Sequence, residues 1–227
     1  SLVDRSVVGF EALARWKHPT RGLLPPSAFL PAAEETGLIV ELGVSALRQA
    51  CAQAGRWRES AERRSLTIHV NLSDKQLFES DLAARVEEIL REARLDPAAL
   101  VLDIAEGVVM QKADAAAAIL RQLKGLGVGI HLDDFGTGYS SLGFLHRLDI
   151  DILKIDRSFV RNLRSGSDNW IVVRSIVGLA DNLGMGVIAE GVETEEQLSE
   201  LVGLGCLLGQ GSLFHEPLTV ELVEDIL

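Results

Sequence analysis

Apolar runs rich in β-branched residues alternate along the chain with longer segments in which apolar positions recur at helical spacing. The strand-like runs are Val7–Arg15, Leu66–Asn71, Leu100–Ala105, Val128–Asp133, Ile152–Ile155, Val187–Glu190 and Leu207–Gly209. Between them the spacing predicts helices over Leu38–Trp57, Lys75–Arg94, Ala113–Leu126, Trp170–Leu183 and Glu195–Val202. Asp74 is placed to cap the second of these, and Gly127, Gly184 and Gly205 sit where helices end. Near-continuous apolar strands separated by helices predict a parallel sheet covered by helices, the α/β class. No linker or charge block interrupts the pattern, so residues 1–227 read as a single domain. The strand-like runs number seven where a closed (β/α)8 barrel has eight, and the chain begins almost directly on a strand. The expectation is therefore an N-terminally truncated barrel, with its first strand preceding residue 1.

Composition narrows the function classes. With 47% hydrophobic residues and only 6 prolines among 227 residues, the chain holds enough apolar material for a packed core, which excludes disorder. No apolar run is long enough to span a membrane, and the opening residues lack the basic and apolar regions of a signal peptide. The net charge of −11 excludes a groove for a nucleic-acid polymer. It leaves room for a small phosphate ligand wherever metal ions reverse the local field. Cys51 and Cys206 lie far apart in apolar surroundings, so a disulfide framework is not expected and a cytoplasmic domain is.

The chemistry collects at the strand ends. Glu11 lies in the first run, Asn71 ends the second, Asp103 lies in the third, and Asp133 and Asp134 close the fourth. Lys154 lies in the fifth run, Glu190 closes the sixth and Gln210 follows the seventh. Active sites of (β/α) barrels sit where the strands end. Taken singly, an acid at a strand end serves as a cap or a solvated loop residue. Five carboxylates gathered at one mouth repel each other, so either several are protonated or divalent cations neutralise them, and the oxygen-rich set favours the cations. Asp, Glu and Asn oxygens are hard ligands that select Mg2+, Mn2+ or Ca2+, and adjacent Asp133 and Asp134 suit a two-ion arrangement. Lys154, in an apolar run, would be costly to bury unpaired and is placed to hold an attacking water. Arg15 suits either a phosphate clamp or a surface ion pair.

Rival chemistries find no support. There is no G-x-S-x-G elbow and no zinc-spaced Cys/His cluster, and His18, His69, His131, His146 and His215 are scattered as structural or surface residues. The glycine-rich stretch from Gly136 to Ser141 lacks the third glycine of a dinucleotide turn and follows two aspartates, which fits a mobile loop beside a metal site.

Together, Glu11-Ala12-Leu13, the VNLS of Val70–Ser73, DDFGTGYSSL at Asp133–Leu142, LKID at Leu153–Asp156, AEGVET at Ala189–Thr194 and GQG at Gly209–Gly211 resemble the EAL-domain family. That family comprises cyclic di-GMP phosphodiesterases and degenerate receptor relatives. The resemblance implies a modified TIM barrel in which two Mg2+ or Mn2+ ions activate a water that opens cyclic di-GMP to linear pGpG. It implies that Glu11, Asn71, Asp103 and Asp133 hold one ion and that Asp133, Asp134 and Glu190 hold or orient the second. Glu11, Lys154 and Glu190 become the catalytic set, with Lys154 on the water. Leu13, Arg15, Gln210 and Gly211 fall along the family's substrate groove. Glu106 falls where the family tethers the loop containing Gly136 and Gly138, a loop linked to dimer contacts. A homodimer, and fusion to sensory or GGDEF-type domains in a parent protein that membrane attachment would suit, follow from the same resemblance.

The chain also departs from the family pattern. Asp103 stands in place of a glutamate, an arm about 1.5 Å shorter, which predicts weakened metal affinity with the charge retained. Ala105-Glu106-Gly107 replaces Thr-Glu-Ser, and Ser212 replaces an aromatic. The leading expectation is a metal-dependent phosphodiesterase, and the alternative is a catalytically weak or inactive cyclic di-GMP receptor. Retention of the acids and Lys154 favours the enzyme.

Overall fold

The computed structural model describes residues 1–138 and 142–227; Tyr139, Ser140 and Ser141 of the DDFGTGYSSL motif lie outside the described residues. In chain order the strands are β1 (Gly9–Ala12), β2 (Trp16–His18), β3 (Gly22–Leu24), β4 (Thr67–Leu72), β5 (Leu100–Ala105), β6 (Gly129–Phe135), β7 (Ile152–Ile155), β8 (Gly186–Ala189) and β9 (Leu208–Gly209). The helices are α1 (Leu30–Thr36), α2 (Ile39–Trp57), α3 (Asp74–Leu77), α4 (Leu82–Ala93), α5 (Glu106–Gln111) and α6 (Ala113–Gly125). There follow α7 (Leu142–Leu145), α8 (Arg157–Val160), α9 (Asp168–Leu183), α10 (Glu195–Gly203) and α11 (Val220–Glu224). None of the helices among the described residues is long and apolar enough to cross a membrane. The chain divides into two compact units. The first holds Gly9–Ile104 and Lys112–Gly129; the second holds Ser1–Val8, Ala105–Gln111 and Ile130–Leu227.

In the first unit β1, β4 and β5 run parallel, with Glu11 in register with His69 and Asn71 with Asp103. Side chains alternate along a strand, so Gly9, Glu11, Thr67, His69, Asn71 and Asp103 share one face. The opposite face supplies buried Ile68, Val70, Leu102 and Ile104. Helix α2 covers it because Val44, Leu47, Cys51 and Ala54 recur at three- and four-residue spacing, and all four are buried. Phe10 and Trp57 lock strand to helix with ring centroids 5.2 Å apart.

The structure departs from the sequence expectation at three places here. The run Val7–Arg15 is a strand only over Gly9–Ala12, because Trp16–His18 pairs antiparallel with Gly22–Leu24. His18 holds that hairpin turn: its Nδ1 accepts from the Thr20 and Arg21 amides at 3.1 and 3.2 Å. The helix expected over Lys75–Arg94 is two helices, α3 and α4, interrupted at residues 78–81. Ser73, not Asp74, caps the first of them. Ser73 Oγ accepts from the Gln76 amide and Gln76 Oε1 accepts from the Ser73 amide, a reciprocal capping box. A Cβ at Gly43 would overlap the Gln76 amide group, so glycine in α2 lets the buried cap fit beneath it.

In the second unit β6, β7, β8 and β9 are parallel neighbours. The register shifts between Leu132 and Phe135, placing a bulge at Asp133 and Asp134. Ser167 caps α9 and Thr194 caps α10, the latter with Gln197 in a second capping box. Gly184 ends α9 at φ 71°, a left-handed conformation that glycine adopts without strain. Buried Val173, Ile176 and Ala180 of α9 and Leu201 of α10 face the core of this unit. Both cysteines are free and buried. Burial pushes the Cys51 thiol up to about 12 and the Cys206 thiol up to about 11.

Because Ser73 caps the helix directly after the VNLS strand, Ser73→Ala is expected to lower unfolding free energy by about 1 kcal/mol. A urea denaturation midpoint, with unchanged slope, reads that loss.

Candidate functional site

The second unit contains a fully buried ammonium. Lys154 sits mid-strand in β7 at 1% exposure, where an unpaired charge is prohibitively costly. It is paired twice: Nζ lies 2.8 Å from Glu190 Oε1 and donates to Asp133 Oδ2 at 3.2 Å. The strand register explains the meeting. Lys154 is in register with Ile188, two residues before Glu190, so both point to one face. Glu190 stands just beyond β8, with its amide donating to Ile155 O at 3.0 Å. Gln210 follows β9, and its Nε2 donates to Glu190 Oε1 at 3.0 Å.

The bulge in β6 turns Asp134 out. Its φ of 55° is left-handed, a conformation aspartate tolerates better than most side chains. The Asp134 amide donates to Asp133 Oδ1 at 2.8 Å, while Thr137 Oγ1 donates to Asp134 O at 2.9 Å. Carboxylate oxygens of Asp133, Asp134 and Glu190 lie within 4.8 Å of one another. Hard anionic oxygens at that spacing fit a divalent cation of the Mg2+ or Mn2+ class, so the donor chemistry passes the test for such an ion. The following loop is tied down by Glu106, at 2% exposure, whose Oε2 accepts from the Gly136 amide at 2.9 Å. Gly136, at φ 93°, has Phe159 and Ile176 where a Cβ would go, and a Cβ at Gly138 would reach 3.9 Å from Glu106 Oε2. Gly211 is confined more tightly, since a Cβ there would overlap the Val192 backbone.

In the first unit Asn71 Nδ2 donates to Glu11 Oε1 at 2.6 Å, which turns the amide oxygen, a hard donor, the other way. Asp103 is 1% exposed and shares the face of Asn71, its register partner. Leu13 and Arg15 stand beyond the end of β1, both exposed. Arg15 Nη1 donates to Ala14 O at 2.9 Å and makes no ion pair among the described residues, so the surface ion pair open to it on sequence grounds is not formed. His69 is one of the five histidines expected from the sequence to be structural or surface residues. Its Nδ1 lies 3.6 Å from Asp103 Oδ1. The available signal was period two: His69 precedes Asn71 by two residues and so shares its face.

A family model described as the EAL domain matches residues 1–217. The chain is 45% identical over 215 residues to the bifunctional diguanylate cyclase/cyclic di-GMP phosphodiesterase MucR of Pseudomonas aeruginosa, covering 95% of this chain and 31% of that protein. It is 39% identical over 227 residues to the cyclic di-GMP phosphodiesterase NbdA of the same organism, covering 100% of this chain and 29% of that protein. The chain thus spans less than a third of the length of either relative. Among solved structures it matches the P. aeruginosa MucR phosphodiesterase in complex with c-di-GMP at a TM-score of 0.92 and 44% identity, over 96% of this chain and 88% of that one. It matches the EAL enzyme Bd1971, in its cAMP- and cyclic-di-GMP-bound form, at a TM-score of 0.93 and 32% identity, over 99% and 61%. The α/β, TIM-barrel-like class expected from the sequence is the class of these structures.

If Glu106 acts by tethering the loop, Glu106→Ala lowers turnover while leaving divalent-metal affinity unchanged. Faster amide hydrogen exchange at Gly136 would accompany the loss.

Proposed function

The chain belongs to the EAL domain family, and we propose that it hydrolyses cyclic di-GMP to linear pGpG in a reaction that needs Mg2+ or Mn2+. The observation that carries the reading is the buried Lys154 clamped between Asp133 and Glu190. A domain that only bound a nucleotide would have no use for an ammonium held dry between two carboxylates beside a third.

In this reading Asp133, Asp134 and Glu190 of the second unit are oxygen donors for the divalent cations, and so are Glu11, Asn71 and Asp103 of the first. Bound cations of this class supply Lewis acidity toward a phosphodiester and an attacking water. The chain's own groups do the rest. Lys154 donates a hydrogen bond to the water and orients it, while Glu190, fixed by Lys154 and Gln210, accepts from that water and takes its proton. The Lys154 ammonium also balances the negative charge of Asp133 and Glu190 at contact distance. Arg15, exposed and donating to Ala14 O, is available to a phosphate, with Leu13 as the first unit's other ligand-facing residue in this reading, while Gln210 and Gly211 are the second unit's. Glu106 holds the loop through Gly136, and so keeps the segment after Asp134 in place.

The whole chain acts here as one EAL-type domain, cytoplasmic and homodimeric, joined to sensory or GGDEF-type modules. Support for the last point is that the curated relatives are more than three times as long as the region they share with it.

Incubation with cyclic di-GMP and Mg2+ or Mn2+, with products resolved by chromatography against a chelated control, is expected to give metal-dependent pGpG. Asp133→Ala and Lys154→Met are each expected to cut turnover at least about 100-fold, the scale for removing one preorganised electrostatic group. Circular dichroism checks that the variants fold. Saturable nucleotide binding without product in the parent chain would replace the enzyme reading with a receptor.

A further inference from the structure

A charged cavity in the first unit has no part in the mechanism above. Its volume is about 530 Å3, and it lies where β4 and β5 begin, whereas Asn71 and Asp103 lie toward the other ends of those strands. Arg58, Arg64 and Arg94 line it, together with Glu59 and Asp96. Arg58 is the inner guanidinium, 15% exposed: Nη1 donates to Leu66 O at 2.6 Å and Nη2 lies 3.7 Å from Asp96 Oδ2. Arg64 and Arg94 are exposed, and their side chains make no hydrogen bond or ion pair among the described residues. Three guanidiniums thus face two carboxylates, a local positive excess in a chain of net charge −11. The helices are shaped to this junction. A Cβ at Gly55 would come within 2.7 Å of Ala93 O, so glycine lets α2 pass the end of α4 and brings Arg58 and Arg94 to one cavity. Arg94 is left-handed at φ 51°, at the position after a helix that glycine usually fills. Its amide donates to Arg91 O at 3.2 Å and the Leu95 amide donates to Leu90 O at 3.0 Å, so the backbone alone ends the helix. An arginine there strains the backbone while its side chain adds no hydrogen bond or ion pair to the fold.

We propose that this cavity binds a small phosphate-bearing molecule, with Arg64 and Arg94 gripping the phosphate oxygens and Arg58 supporting them from within. Planar guanidinium forks match phosphate oxygens in pairs, and guanidiniums that the fold leaves unbonded are free to do so. The volume falls in the range of about 300–1,000 Å3 typical of small-molecule sites, so there is room for a nucleotide as well as for inorganic polyphosphate. None of the carboxylates assigned to the divalent cations lines it, so the inference stands apart from the reading of those acids.

The test is isothermal titration calorimetry of the full chain with inorganic pyrophosphate and with adenosine monophosphate, in chelator and at low salt. Saturable binding of one or both is expected, tighter for whichever source of phosphate the cavity serves. Arg64→Gln and Arg94→Gln are each expected to weaken it about 10-fold or more, the scale of one charge-assisted hydrogen bond. Arg94→Gly separates ligand from fold. Its urea midpoint is expected to equal or exceed that of the parent, because glycine relieves the left-handed strain, while phosphate affinity falls as in Arg94→Gln. Heats that never saturate for either probe, or affinity that survives in both glutamine variants, overturn the proposal. A lower midpoint with unchanged affinity in Arg94→Gly assigns Arg94 to the fold and overturns its role in the cavity.

Discussion

An ammonium sealed inside protein must be neutralised where it stands, and much of the second unit follows from that demand at Lys154. Its partners come from two different connections, the bulged end of β6 and the turn after β8, so each strand must end at the right height. Parallel register with Ile188 sets the height of Glu190, and the bulge between Leu132 and Phe135 sets that of Asp133. Gln210 adds a neutral donor to Glu190. Removing either acid would leave a buried charge short of a counterion, whereas the outer acid, Asp134, has no such structural duty.

The two units meet the problem of crowded acids by different means. In the second, a cation from the chain itself balances two carboxylates. In the first, the Glu11 carboxylate is held by the Asn71 side-chain amide, a neutral donor. Both arrangements hold oxygens in fixed positions, at the cost of keeping like charges close, a cost that a divalent ion would relieve under the proposed function. In that reading, preorganisation of this kind would raise metal affinity, because no side chain would have to be ordered when the ion arrived.

The strand cores were legible because β-branched runs such as Leu100–Ala105 and Ile152–Ile155 have no helical period, and both were read to the residue. The acids at their ends were legible for the same reason. What escaped was set by contacts the sequence pattern does not carry. The hairpin β2–β3 has strands of three residues, too short for alternation to register, and its turn depends on the His18 ring. The break between α3 and α4 falls where Phe78 and Leu82 continue an apolar period, and only the cap by Ser73 distinguishes the first short helix. His69 shares the face of Asn71 through the two-residue period of β4, a relation that no histidine shows when taken singly.

The two buried thiols have a practical consequence. At neutral pH a thiol raised to about 11 or 12 is almost wholly protonated, and both sulfurs are shielded from solvent as well. Electrophilic reagents would therefore find the native chain nearly silent. A single cysteine introduced at an exposed place such as Thr137, beside the tethered loop, would then be the one fast-reacting sulfur, and a spectroscopic label could be carried there without first stripping the protein of its own cysteines.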